Sequence, residues 1–280
     1  MPLALVVGVA AISFAGPFFR KAAPTHPLVA AGLRLAMASL VLLPLTLRAR
    51  ARGRLPGRVL GAATLAGLAY GVHFGAWVWS LGLTTVAASV TLVTATPLLL
   101  AVVALVTGRD RPTRQLWIAL LFAALGVSLI GGHDLGSSSL ALAGDALAIL
   151  GAAAMAAYLL VGRRLGAFDV VAYSGVATAV GAVCLLGVAA ALGLPLTAAT
   201  PHAWLYLALA ALVPQLVGHT LLTWSLRHTT PTVVGMATVA EPVGASLLAW
   251  LWLGESVSGQ VLLGCTATIT AVVLALRGRR

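Results

Sequence analysis

Charge is what this chain has least of. Asp, Glu, Lys and Arg make up 8% of its 280 residues, against about 25% in an ordinary soluble domain. With so little polar surface the chain cannot stay folded in water, and a membrane-embedded protein is the class that fits. Acids are scarcest, six in all, and no two of them lie closer than the eleven positions from Asp134 to Asp145. That spread excludes the paired carboxylates of magnesium-diphosphate chemistry. Neither Gly-x-Ser-x-Gly nor His-Glu-x-x-His occurs, and no Gly-x-x-x-x-Gly-Lys loop is present to bind a nucleotide. The two cysteines, Cys184 and Cys265, sit inside apolar runs and read as small hydrophobes, neither a disulfide frame nor a metal site. Short strand-like alternation is missing too, which excludes a transmembrane barrel.

What is present is helix-length hydrophobicity: 61% apolar residues and a mean hydropathy of +1.06. Ten apolar runs are predicted to span the bilayer, at 3–19, 27–47, 59–82, 85–107, 115–132, 143–162, 170–193, 204–226, 231–253 and 258–276, each near the 20 residues that hydrocarbon thickness demands. The net charge of +11 then reads as topology, with no nucleic acid as partner. With the N-terminus in the cytoplasm, Arg48, Arg50, Arg52, Arg54, Arg58, Arg109, Arg111, Arg114, Arg163, Arg164, Arg227, Arg277, Arg279 and Arg280 share that side. Only Arg20 and Lys21 fall opposite. This bias predicts both termini inside, with the Arg48–Arg58 cluster as an anchor that touches anionic lipid. The first apolar run lacks a basic leader and is expected to be retained as a helix.

Two segments 145 residues apart nearly repeat. Trp79-Ser80-Leu81 leads through Thr84-Thr85 to Ala95-Thr96-Pro97, and Trp224-Ser225-Leu226 leads through Thr229-Thr230 to Ala240-Glu241-Pro242. The copies fall on the third and fourth and on the eighth and ninth runs, so each half holds five spans. An odd number inserts the second half upside down. The predicted fold is therefore an all-α polytopic membrane protein, ten transmembrane helices as two inverted five-helix repeats, 1–135 and 136–280, joined around 131–143 by a stretch holding His133, Asp134 and Ser137 to Ser139. Such folds place their substrate site near the midplane, where the halves meet.

Several residues stand out against the apolar background. Glu241 lies about ten residues into the ninth span, roughly 15 Å deep at 1.5 Å per residue. A carboxyl there is kept neutral, paired, or beside a wet cavity, so it either carries protons or serves as a structural acid. Arg34, roughly 10 Å into the second span, either pairs with Glu241, snorkels outward or clamps a substrate carboxylate. His73 and His219 fall one position apart when the halves are overlaid, and each either relays protons or hydrogen-bonds across the bundle. Gln215 shares a face with His219, and Trp77 shares one with His73. Trp250 and Trp252 are expected in the interfacial belt, and Asp145 and Glu255 as helix caps.

The chain resembles EamA-type transporters of the drug/metabolite transporter superfamily. The resemblance runs through Pro214-Gln215-Leu216-Val217-Gly218-His219-Thr220, Trp224-Ser225-Leu226, Glu241-Pro242 and Leu253-Gly254-Glu255 in the second half. In the first it runs through Leu33-Arg34, His73-Phe74 with Trp77, and Thr84 to Pro97. Two departures stand out. Ser13-Phe14-Ala15-Gly16-Pro17 replaces a Trp-Gly-containing stretch, and no acid precedes Pro97. The resemblance implies a secondary transporter without cofactor in a bacterial inner membrane, exporting amino acids or related metabolites. Its partners would be a small-molecule substrate and the lipid bilayer, and a functional monomer is consistent with a chain that supplies both halves. The substrate or proton pathway would draw on Glu241, Arg34, His73, Trp77, Gln215 and His219. The competing classes are an intramembrane enzyme, which the scattered acids disfavour, and a non-transporting scaffold or receptor, which has no need of polar groups at matching depths in both halves.

Overall fold

Proline and threonine set most of the helix boundaries in the computed structural model, which describes residues 1–109, 112–131, 138–254 and 258–277. These residues form helices and no strand. We number the helices α1 (Pro2–Lys21), α2 (Pro27–Ala51), α3 (Gly57–Ser80), α4 (Val86–Val93 and Thr96–Thr107), α5 (Arg114–Gly131), α6 (Ser139–Arg164), α7 (Val170–Ala191), α8 (Pro201–Ser225), α9 (Pro231–Thr238 and Glu241–Leu253) and α10 (Gly259–Arg277). The repeated Thr-Thr pairs are helix starts. Thr85 Oγ1 accepts the amide of Ala88 at 3.1 Å, and Thr230 is the extended cap residue before Pro231, whose fixed φ suits a first helical position.

Eight of these helices are long and apolar enough to cross a membrane, whereas the apolar stretches of α5 and α10, Arg114–Leu129 and Gly259–Ala275, fall short of that length. Eight of the ten predicted spans are thus met, and α5 and α10 fall where the other two were predicted. Gln115 and Gln260 lie near the starts of these two helices. They have a partner's carbonyl to bind: Gln115 Nε2 donates to Leu274 O at 3.1 Å and Gln260 Nε2 to Leu129 O at 3.0 Å. Each glutamine is 145 positions from the other, and so is each leucine. The two bonds are therefore reciprocal, and α5 and α10 run antiparallel.

The same exchange recurs elsewhere. α2 packs on α7, α1 on α8, and α3 on α6 and α7. The first half of α4 meets the second half of α9, and the second half of α4 meets the first of α9. The equivalent pairs α2 with α7 and α4 with α9 thus lie against each other, and α1 meets α8 as their counterparts α6 and α3 meet. Where α3 crosses α7 the backbones nearly touch. A Cβ on Gly67 would stand 2.6 Å from Val180 Cβ and 2.8 Å from Ala177 O, inside van der Waals contact. Gly67→Leu is expected to cost roughly 1–3 kcal/mol of stability by overpacking, read as earlier thermal aggregation in detergent. An unchanged profile would mean the helices can part at no cost.

α1, α4 and α9 are each broken in mid-course, at Ser13-Phe14, Thr94-Ala95 and Val239-Ala240, shortly before Pro17, Pro97 and Pro242. Proline lacks the N–H that would bond four residues back. In α4 the carbonyl freed by Pro97 is that of Val93, and Thr96 Oγ1 donates to it at 3.0 Å. In α8, Pro214 lies in a π-helical segment, Ala211–His219, a widening of the helix that is frequent at functional sites and was not expected from the sequence.

The expected capping by Asp145 is not what forms. α6 begins at Ser139, with Ser138 Oγ accepting the amide of Ala141 at 3.1 Å. Asp145 therefore lies in the second turn, buried, and both its carboxylate oxygens lack a hydrogen-bond partner. The apolar run starts at 143, but the serine hydroxyl starts the helix four residues sooner. Glu255, Arg111, Arg279, Arg280, and the junction residues His133, Asp134 and Ser137 lie outside the described residues. Trp250 and Trp252 occupy the last turn of α9, both about half exposed. Trp252 also packs on Phe14 and Phe18 of α1, each with ring centroids 6.0 Å apart.

Candidate functional site

The breaks in α1, α4 and α9 open onto one interior space. A narrow cavity of about 40 Å³ lies among α1, α3, α4, α6, α8 and α9. His73, Trp77, His219 and Glu241 line it, together with Thr94, Thr96 and Tyr158. Thr96 and Glu241, the mismatched pair of the repeat, each open the second half of a broken helix. Each second half has proline at its second position, and the amide that follows bonds back to the break, Leu98 N to Ala95 O at 2.9 Å and Val243 N to Ala240 O at 3.2 Å.

The two side chains behave differently. Thr96 Oγ1 spends its hydrogen on Val93 O and also approaches Ala152 O of α6 at 3.3 Å. Among the described residues the Glu241 carboxyl makes no hydrogen bond or ion pair with another side chain, while its backbone carbonyl accepts from Ser13 Oγ at 3.5 Å. Glu241 is the sole acid in the lining.

One wall is aromatic. His73 stacks on Trp77 with centroids 6.2 Å apart and lies 6.5 Å from His219. Its Nδ1 is 2.9 Å from the carbonyl of Gly151 on α6. A carbonyl only accepts, so Nδ1 carries the hydrogen, and in the neutral ring Nε2 remains an acceptor. His219 is held by rings instead, 5.2 Å from Phe74 and 5.7 Å from Tyr70, both nearly perpendicular. The indole nitrogen of Trp77 is buried without a partner.

Arg34 and Gln215 stand behind this wall and do not line the cavity. Arg34 is fully buried, so it does not snorkel, and no ion pair joins it to Glu241; among the described residues the salt bridge is Arg54 to Asp169, at 3.7 Å. Its guanidinium lies 4.3 Å over the face of Phe74, a cation–π contact. Nη2 donates to Gln215 Oε1 at 3.0 Å, and Gln215 Nε2 donates to the hydroxyl of Tyr70 at 2.9 Å. Nε and Nη1 have no partner. Depth along the spans suggested a pair; the ring of Phe74 and the side chain of Gln215 take the positions that a pair would need.

Three tyrosines escaped the sequence reading. Tyr70 stacks on Tyr158 at 4.5 Å, Tyr158 lies 5.7 Å from Tyr173, and the Tyr158 hydroxyl bonds Thr223 Oγ1 at 2.9 Å. A signal was available. Tyrosine in membrane proteins favours the interfaces, and Tyr70 sits in the middle of the 59–82 run, whereas Tyr158 and Tyr173 lie near run ends and carry no such flag. The threonines of the lining carry no such signal, because most of them bond their own helix and are common in any span.

The EamA-like transporter family model matches residues 1–132 and again 142–277. A solved crystal structure, described only as that of a protein, superposes with a TM-score of 0.78 at 17% identity, over 99% of this chain and 98% of its own; at that identity the likeness is one of fold. No curated protein matches. With its two matched halves and its apolar helices, the chain is a multi-pass membrane protein that belongs to the EamA-like transporter family.

Proposed function

We propose that this protein is a secondary transporter that carries a small, amino-acid-like metabolite out of a bacterial cell by alternating access, exchanging it for protons at Glu241. The observation that carries the proposal is the unpartnered carboxyl of Glu241 in an otherwise acid-free cavity, at the head of a broken helix. A carboxyl so placed is costly to a membrane protein and marks an ion or substrate pathway by default. His73, His219 and Trp77 would contact the substrate, while Arg34 and Gln215 would act on the cavity through the field and the wall they support. Ten spans in two inverted halves, with both termini in the cytoplasm, complete the reading. The reciprocal Gln115 and Gln260 bonds and the antiparallel contact of α4 with α9 support the inversion, and the arginine bias supports the orientation.

The test is transport by purified protein in proteoliposomes, with a panel of amino acids and related metabolites, with and without an imposed pH gradient. At least one compound is expected to move faster than in protein-free vesicles, and faster still with the gradient. Movement that ignores the gradient would remove proton coupling. No movement of any compound under any gradient would leave the scaffold reading in its place.

A further inference from the structure

Asp145 is a buried acid that the pathway through Glu241 leaves unused. Gly144, Asp145, Ala148, Gly151 and Ala152 form one buried face of α6, and that face runs antiparallel to α3. A Cβ on Gly144 would stand 3.1 Å from Thr84 Cβ, beyond the end of α3, and a Cβ on Gly151 would stand 3.4 Å from Trp77 Cβ. Asp145 therefore lies at the level of the α3–α4 turn, about 9 Å along α6 from Gly151, whose carbonyl holds His73 at the cavity. Gly82 and Thr85 of that turn are exposed, so the acid sits just beneath a surface that meets water, the outer one in the orientation proposed above.

A carboxyl kept for structure is hydrogen-bonded or paired. Among the described residues Asp145 is neither: it is 3% exposed, and both its oxygens lack a hydrogen-bond partner. Ser138 holds the amide that a cap would take, and Arg20, a cation at this end, donates to the carbonyl of Thr84 at 3.3 Å. The helices packed on α6 offer hydroxyls instead. Thr84 Oγ1 is buried without a partner. Deeper in, Ser80 Oγ donates to Trp77 O at 2.7 Å and therefore accepts from Ser89 Oγ. α4 and the first half of α9 carry no titratable side chain, and the first one met inward along α3 is His73. An ionised carboxylate buried without a partner is strongly disfavoured, and a proton removes its charge. We infer that Asp145 is a second proton-binding residue, the outer station of the path: its carboxyl takes a proton from the water above the α3–α4 turn and releases it inward, past the hydroxyls, to the cavity and Glu241. The proton site stands on its own geometry; the handover to Glu241 rests on the function proposed above.

Dicyclohexylcarbodiimide reads protonation directly. A protonated carboxyl in apolar surroundings adds across one of its C=N bonds, and the adduct rearranges to a stable N-acylurea with nothing lost. Tagging of the full-length protein in phosphatidylcholine nanodiscs, followed by peptide mass spectrometry across a pH series, needs no variant and no known substrate. Asp145 is expected to be tagged at low pH and progressively less as pH rises, while Asp169, 3.7 Å from Arg54 in an ion pair, stays largely untagged. An Asp145 that is never tagged is a permanent carboxylate, and one tagged equally at every pH is a fixed structural acid; either result overturns the site. Protection of Asp145 by sodium but not by choline at fixed pH would make it a metal-cation site and overturn the proton assignment. In proteoliposomes, Asp145→Asn is expected to lose most of the accumulation driven by a pH gradient. The variant should keep exchange of labelled for unlabelled substrate and match wild type in gel filtration, because no partner is orphaned. Full accumulation by Asp145→Asn would overturn the handover. Absence of transport by wild type, with pH-dependent tagging of Asp145 intact, would count against the proposed function and leave the proton site standing.

Discussion

Glu241→Gln, purified and reconstituted, is expected to lose gradient-driven transport by about a hundredfold, the lower part of the range for losing a proton-transferring group, while folding and inserting normally. Glutamine keeps the shape and polarity of the side chain but cannot exchange a proton. No partner is orphaned by the change, because the carboxyl makes no side-chain bond that the amide would break. The variant should therefore match wild type in gel filtration and melting. Substrate exchange without a gradient is the discriminating readout. If glutamine mimics the protonated state, exchange of labelled for unlabelled substrate survives while accumulation against a pH gradient vanishes. Full gradient-driven accumulation by Glu241→Gln would falsify the role assigned to the carboxyl.

The second large effect concerns the buried cation. Gln215→Leu is expected to destabilise the protein by roughly 1.5–3 kcal/mol, the scale of a lost hydrogen bond to a buried charged group. Arg34 already has two guanidinium nitrogens without partners, so losing the Gln215 carbonyl would leave it the face of Phe74 as its main support. The damage comes from the orphaned charge and not from a lost contact, which makes it reversible. Arg34→Met combined with Gln215→Leu should recover much of the stability, because an apolar pair of similar volume has no desolvation to offset. Thermal unfolding of the two single variants and the double variant in detergent gives the cycle. A double variant that is the sum of its parts would show that the two residues are not energetically linked. Transport by a stable double variant would separate structural support from any electrostatic service to Glu241.

The fold was legible where a residue's effect is confined to its own helix. Apolar runs marked the helices, with the Thr-Thr pairs between runs, whereas the breaks that carry Thr96 and Glu241 fall inside 85–107 and 231–253, each read as one span. The repeat of 145 was legible from the Trp-Ser-Leu copies, although Gln115 and Gln260 obey the same spacing and went unnoticed because no rare residue flags them. Misreadings arose where a neighbour decides. Asp145 looks like a cap until Ser138 is seen to hold the amides, and Arg34 looks like a partner for Glu241 until Phe74 and Gln215 are seen against it. The π-helical turn around Pro214 has no sequence signature distinct from an ordinary kink. Four of the six residues singled out meet at the cavity because polar groups in a bilayer have few places to go. The tyrosine stack was missed because it joins three helices, and depth along one helix does not reveal it.

On the function proposed above, the lone carboxyl in the cavity also sets a thermodynamic ceiling. A carrier that exchanges one proton for one uncharged substrate molecule moves one net charge, so its concentration ratio is limited to about tenfold for each unit of pH across the membrane, multiplied by what the membrane potential adds at about 2.3 kcal/mol per 100 mV. A second acid in place of Thr96 would square that ratio, at the expense of moving two protons per molecule carried. With threonine there, the proposed coupling stays at one proton for each molecule.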